Sequence, residues 1–306
     1  MILMNWETNN IHIIRELFVY FLVVATIILG LVIFFTIFYG WKYRRRPNAE
    51  TPTQDHGSKR FEILMIGIAF TITSVFFVLT VNGMNQIQNI PDNPIPDIII
   101  TGHMWWWEAE YRTDSIITAN EIHIPANKKV LVQFNSDDVI HSWWIPKLGR
   151  KMDLVPGYDN YMWLQADEGE YWGTCSEFCG AQHALMRIHI IADSEDDFKI
   201  WKSSQLKPPP ATQNPLFETG KRLFQEKTCI SCHSVNIHDK EPVIGPNLAH
   251  FASRKYFLSN IELNTTENLY AWIKNPPAVK PNTQMPFLAL TDKEVNALVY
   301  YIKTLR

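Results

Sequence analysis

Four cysteines occur in 306 residues, in two close pairs, Cys175 with Cys179 and Cys229 with Cys232, each followed by a histidine. The first pair lies in Cys175-Ser-Glu177-Phe-Cys179-Gly-Ala-Gln-His183-Ala-Leu-Met186. Thiolate, imidazole and thioether in one loop select copper. Zinc accepts the thiolates and the imidazole but gains little from a thioether, whereas copper takes a weak axial methionine. A mononuclear copper loop of this kind needs one cysteine. Two thiolates can bridge two coppers and share one electron between them, which keeps the geometry nearly constant on reduction and lowers the barrier to electron transfer. Two disulfides would also use an even cysteine count, but pairs this close, each followed by histidine, read as ligand sets.

The second pair, Cys229-Ile-Ser-Cys232-His233, is the c-type haem attachment pentapeptide: two thiols for thioether bonds to the porphyrin and a histidine for the iron. Met285, within Asn282-Thr-Gln-Met285-Pro286, is the only methionine after His233 and so the expected sixth ligand. His238 and His250 compete with it, but bis-histidine ligation lowers the potential and methionine raises it. The copper loop lacks a second histidine. On chemistry alone His103, His123, His141 and His189 are all open for that position.

Membrane elements are expected to carry these sites. No charged residue occurs from Leu17 to Trp41, or from Ile63 to Gln86. A helix of ~25 residues rises about 37 Å, enough to cross a ~30 Å hydrocarbon core with some tilt. The first run is too long for a signal-peptide core and has interfacial aromatics, Tyr39 and Trp41, at its end. Lys42, Arg44, Arg45, Arg46, Lys59 and Arg60 put the connection in the cytoplasm, and both termini outside, by the positive-inside rule. The expected organisation is a transmembrane hairpin over 1–90, with spans at about 17–41 and 63–83 and a cytoplasmic loop at 42–60. An all-β domain follows over 97–200, a proline-rich linker over 201–214 and an all-α domain over 215–306. Short β-type stretches such as Ile98 to Thr101, Lys129 to Phe134 and Met186 to Ile191 suggest a small sandwich or barrel, and helical patterns occupy Pro215 to Gln225, Thr266 to Lys274 and Thr291 to Leu305. The net charge of -3 gives no basic footprint and excludes nucleic acid as the expected partner.

From Glu62 to Met186 the chain resembles cytochrome c oxidase subunit II. The copper loop matches its CuA loop, Thr101-Gly102-His103-Met104-Trp105-Trp106-Trp107 matches its aromatic motif, and Asp138-Val-Ile-His141-Ser-Trp143 matches the segment that supplies the first histidine. The stretch after Glu62, Ile-Leu-Met-Ile-Gly-Ile-Ala-Phe, departs from the family in lacking its usual tryptophan and helix proline. Residues 215–306 resemble a class I cytochrome c. The resemblance implies a cupredoxin-like fold for the β domain. It makes Cys175 and Cys179 the bridges of a dinuclear copper centre, His141 and His183 its terminal ligands, Met186 the axial ligand and Glu177 a carbonyl donor. It further implies a magnesium site shared through the Glu177 side chain with subunit I, Trp105 as the point where electrons enter, and Glu62 at the mouth of a proton pathway.

The resulting expectation is the electron-inlet subunit of a terminal respiratory oxidase in a bacterial cytoplasmic membrane. Electrons would pass from a cytochrome c or a membrane-bound quinol-oxidising complex to haem c, then to copper, then to subunit I, where oxygen reduction is coupled to proton translocation; subunit III is a further expected partner. No catalytic residue is expected in this chain, whose spans carry no histidine to hold an oxygen site. The acids Asp137, Asp138, Asp159, Asp167, Glu168 and Glu170 read mostly as a solvated face, with docking of a basic donor as the other use. The competing readings are a membrane-tethered haem c and copper electron carrier and a subunit of another terminal reductase.

Overall fold

The computed structural model describes residues 10–47, 57–209, 212–237, 239 and 244–306. Residues 1–89 and 90–306 form two units. The first holds helices α1 (Asn10–Lys42) and α2 (Lys59–Ile87), the two helices among the described residues that are long and apolar enough to cross a membrane. The 33 residues of α1 rise about 50 Å. Phe18, Leu29, Phe70 and Phe77 are exposed on these helices, a distribution that water penalises and lipid or a partner subunit does not. Phe21 meets Phe76 edge-on with ring centroids 6.0 Å apart. The 42–60 segment is described only in part.

In the second unit ten strands come first: β1 (Ile98–His103), β2 (Trp106–Tyr111), β3 (Ile116–Ala119), β4 (Glu121–Pro125), β5 (Val130–Ser136), β6 (His141–Trp144), β7 (Met152–Leu154), β8 (Asn160–Leu164), β9 (Gly169–Cys175) and β10 (Arg187–Asp193). They make two five-stranded sheets, ordered β3-β2-β1-β5-β8 and β4-β10-β9-β6-β7. Alternate residues such as Ile98 and Ile100, Val130, Val132 and Phe134, and Ile188 and Ile190 are buried around Trp107 and Trp143, each large side chain contributing about 1.5–3 kcal/mol. This is the expected sandwich.

Helix α3 (Glu195–Gln205) follows and occupies the start of the segment expected as a linker. Its signals are local: Ser194 accepts a hydrogen bond from Asp197 N, and Glu195, Asp196 and Asp197 complement the dipole of the first turn. Trp201 stacks on His123 at 4.4 Å, which ties α3 to the sandwich.

The remaining residues form a helical module: α4 (Pro215–Glu226), the two-stranded ribbon β11 (Tyr256–Phe257) and β12 (Glu262–Leu263), α5 (Thr266–Lys274), α6 (Pro276–Val279) and α7 (Asp292–Thr304). Asn214 caps α4 ahead of Pro215, and Thr291 with Glu294 forms a capping box on α7. Leu223 and Phe224 of α4 pack with Val295, Leu298 and Ile302 of α7 in one core. The helices touch at Gly220, where a Cβ would collide with the Ala297 carbonyl oxygen, so only glycine permits the crossing.

Candidate functional site

His141 begins β6, Cys175 ends β9, and the loop from Ser176 to Met186 returns into β10. Sheet register does the assembly. Trp143 pairs with Cys175 across β6 and β9, Ser176 N donates to Ser142 O at 2.8 Å, and Cys175 N donates to Met186 O at 2.9 Å, closing the loop at its base. The Cys175 and Cys179 sulfurs lie 3.7 Å apart. Two metal–sulfur bonds of about 2.3 Å reach at most about 4.6 Å, so both thiols can hold the same ion. Cys175 Sγ is 3.9 Å from His141 Nδ1 and 3.3 Å from the Glu177 carbonyl oxygen. Cys179 Sγ is 3.6 Å from His183 Nδ1 and 3.9 Å from Met186 Sδ. Two thiols, two imidazoles, a thioether and a carbonyl thus converge, and the set fits a dinuclear copper centre in type and number. The hydrogen bond with the Cys179 thiol lowers the Cys175 pKa, with His141 and backbone N–H groups assisting against burial, and Cys175 in turn raises that of Cys179.

His141 is fully buried, and Gly102 makes room for it, since a Cβ there would stand 2.8 Å from His141 Cδ2. Its Nε2 lies 2.8 Å from Asp138 Oδ1, while the other Asp138 oxygen accepts Met104 N at 2.6 Å. A proton held on Nε2 leaves Nδ1 with a lone pair toward the sulfurs, the usual way a carboxylate sets a metal-binding tautomer. Burial works to lower the His141 pKa, and the hydrogen bonds to Cys175 and Asp138 more than offset it, leaving it raised. Asp138 is therefore an orienting group rather than part of a solvated acidic face. Its spacing three residues before the histidine is the sequence signal for that role.

The other histidines have partners elsewhere. His103 stacks on Trp106 at 4.2 Å, His123 Nδ1 lies 2.6 Å from Asp193, and His189 Nε2 lies 3.1 Å from Glu170. Trp105 rests on the copper loop: its indole donates to Cys179 O at 2.8 Å, and Gly180, at φ +111°, avoids a Cβ that would stand 3.1 Å from the ring. The exposed Glu177 side chain lines a cavity of about 510 Å³ with Arg150, Lys151, Asp153 and Asn160. Glu62 is exposed in the first turn of α2.

In the helical module, Cys229–Ser231 forms a single 3-10 turn, and the His233 backbone N donates to Cys229 O at 3.0 Å. His233 Nδ1 lies 2.8 Å from Pro246 O, so a proton on Nδ1 leaves Nε2 bare for iron. Burial lowers the His233 pKa and favours this neutral form. Gly245 backs the ring, where a Cβ would stand 2.5 Å from Cε1. Met285 is half-buried against the module's core. Of its competitors, His250 Nε2 is 2.8 Å from Gln205 O, and His238 lies outside the described residues. A bare histidine nitrogen, two thiols in one turn and a half-buried thioether fit a haem c.

Residues 113–193 match the family described as cytochrome c oxidase subunit II, periplasmic domain, and residues 217–306 match cytochrome c. The cytochrome c oxidase subunit 2 of Alkalihalophilus pseudofirmus is 34% identical over 93% of this chain and 86% of its own length. That of Bacillus sp. PS3 is 33% identical over 86% and 80%, and that of Bacillus subtilis 30% identical over 90% and 83%. The chain belongs to the cytochrome c oxidase subunit II family. Within this family it has the form with a C-terminal cytochrome c domain, so copper and haem c are its cofactors and it is the electron-inlet subunit of a haem-copper oxidase. The sandwich is the cupredoxin-like domain, subunit I is the partner, and the two apolar helices anchor the chain in the membrane.

Proposed function

We propose that Cys175, Cys179, His141, His183, Met186 and the Glu177 carbonyl hold the dinuclear copper, and that Cys229, Cys232, His233 and Met285 hold the haem. The convergence of both thiols with His141, brought from 34 positions upstream, carries this reading. The two groups supply one-electron storage at positive potential when bound. The chain's residues do the rest: Asp138 and Pro246 fix imidazole tautomers, the tryptophan-lined sandwich excludes water, and Trp105 links the copper loop to its outer surface. Electrons come from a cytochrome c or a membrane-bound quinol-oxidising complex and leave for subunit I, with subunit III completing the assembly. The basic cluster from Lys42 to Arg46 supports a cytoplasmic loop with both termini and both redox domains outside.

Two finer assignments belong to the same reading. Glu62, at the start of α2, serves as the proton pathway's mouth. The Glu177 cavity takes magnesium only with ligands from subunit I, because its own lining offsets two carboxylates, Glu177 and Asp153, with two cations, Arg150 and Lys151. Metal analysis and spectroscopy of the purified complex test the central claim. The expected result is a delocalised copper-pair signal in the near infrared and in electron paramagnetic resonance beside c-type haem bands; zinc in place of copper refutes it.

A further inference from the structure

The tip of the β11–β12 hairpin is built against its own backbone preference. Leu258, Ser259 and Asn260 stand at φ +53°, +59° and +62°, three consecutive left-handed residues without a glycine, a conformation in which the Cβ crowds the following carbonyl oxygen. Such a run persists only where its surroundings over-determine it. Loop tips ordinarily lie in solvent, but here Ser259 is 2% and Asn260 5% exposed. They are covered by the cupredoxin-like domain. Ser259 Oγ donates to Trp105 O at 2.5 Å, and Asn260 Nδ2 donates to Asn120 O at 2.9 Å.

The hairpin's base is held as firmly. Lys255 N donates to Glu121 Oε2 at 3.0 Å, and Lys255 Nζ lies 3.0 Å from Glu170 Oε1. Tyr256 meets Trp172 edge-on at 5.2 Å. Glu121 is buried, and burial alone would raise its pKa. Hydrogen bonds from His123 and from Lys255 N hold it lowered, so part of the compensation for a buried carboxylate comes from the other domain. A separate contact lies beside a copper ligand, where Gln182, the neighbour of His183, donates to Pro281 O.

We infer that this hairpin is a latch that fixes the cytochrome c domain on the copper domain, with Glu121, Lys255 and Asn260 as positioning residues for electron transfer from haem to copper. The inference rests on the ligand assignment proposed above. Electron transfer slows exponentially with separation, so residues that set the separation set the rate without touching either cofactor. One latch contact, from Ser259, lands on Trp105, which rests on the copper loop, and the separate contact between the domains engages Gln182 within that loop.

The test uses the purified oxidase complex. Flash reduction of haem c gives the internal transfer rate, and hydrogen exchange reports the amides of residues 255–261. Lys255→Glu places like charge against Glu121 and Glu170, and it is expected to lower the internal rate at least about tenfold, since such juxtapositions cost several kcal/mol. The double variant Lys255→Glu with Glu170→Lys is expected to recover most of the rate. Asn260→Gly keeps the left-handed turn accessible while removing the amide, and is expected to slow transfer by up to about tenfold for one lost hydrogen bond. Copper and haem spectra and potentials stay as in the parent throughout. Unchanged transfer and unchanged amide protection in both single variants overturn the latch. Absence of the copper-pair signal in the parent complex instead overturns the ligand assignment, and the latch with it.

Discussion

Around Cys175 the proposed ligands arrive from two parts of the sandwich, and the register between β6 and β9 brings His141 to within 3.9 Å of the Cys175 sulfur. Around Cys229 three of the four arrive within a single turn and the residues after it, and only Met285 comes from a distance. The first site is organised by the sheet, with His141 fully buried and held by Asp138. The second is organised by the chain's local path, with Gly245 and Pro246 setting one ring. A rigid sheet can hold two metals nearly still during electron transfer. Haem needs less from the fold because the thioether bonds fix the porphyrin themselves.

Substitutions that damage one site and spare the other test this contrast. Cys175→Ser removes a bridge and is expected to abolish the copper-pair signal while c-type haem bands remain; loss of both would mean that the domains are not independently built. Met285→Leu removes the axial thioether and is expected to lower the haem potential in a redox titration, leaving the copper resonance unchanged. Asp138→Ala keeps every proposed copper ligand but releases His141, and copper affinity measured by competitive chelation should fall about 10–100-fold. An unchanged affinity would show that the sheet alone orients the ring. Gly220→Ala strikes the α4–α7 crossing, with an expected loss of about 1–3 kcal/mol from overpacking, seen as a lower melting point of the haem bands. Thr291→Ala breaks the capping box on α7, at a cost of about 1 kcal/mol in the same assay.

Much of this was legible in the chain's order. The spans follow from long uncharged runs, and the copper loop follows from soft ligands packed between Cys175 and Met186. Helix α5 lies where its pattern puts it, at Thr266–Lys274. Helix α3 was hidden by the prolines that follow it, although Ser194 and three acids signalled its start. His141 could be separated from His103, His123 and His189 only by resemblance, because an imidazole's partner is not written beside it. Glu170 reads as a surface acid and is exposed, but its partner Lys255, 85 positions away, has no signal in the sequence.

The sequence by itself determined what depends on neighbours along the chain: hydrophobic length, the Cys229 to His233 pentapeptide, helix caps and the run of soft ligands from Cys175 to Met186. Tertiary structure decided which histidine faces the thiols, which acid orients it, and that a strained hairpin from one domain closes over Trp105 of the other. The reason is that sheet register and domain contact bring together residues whose separation in sequence carries no local signal.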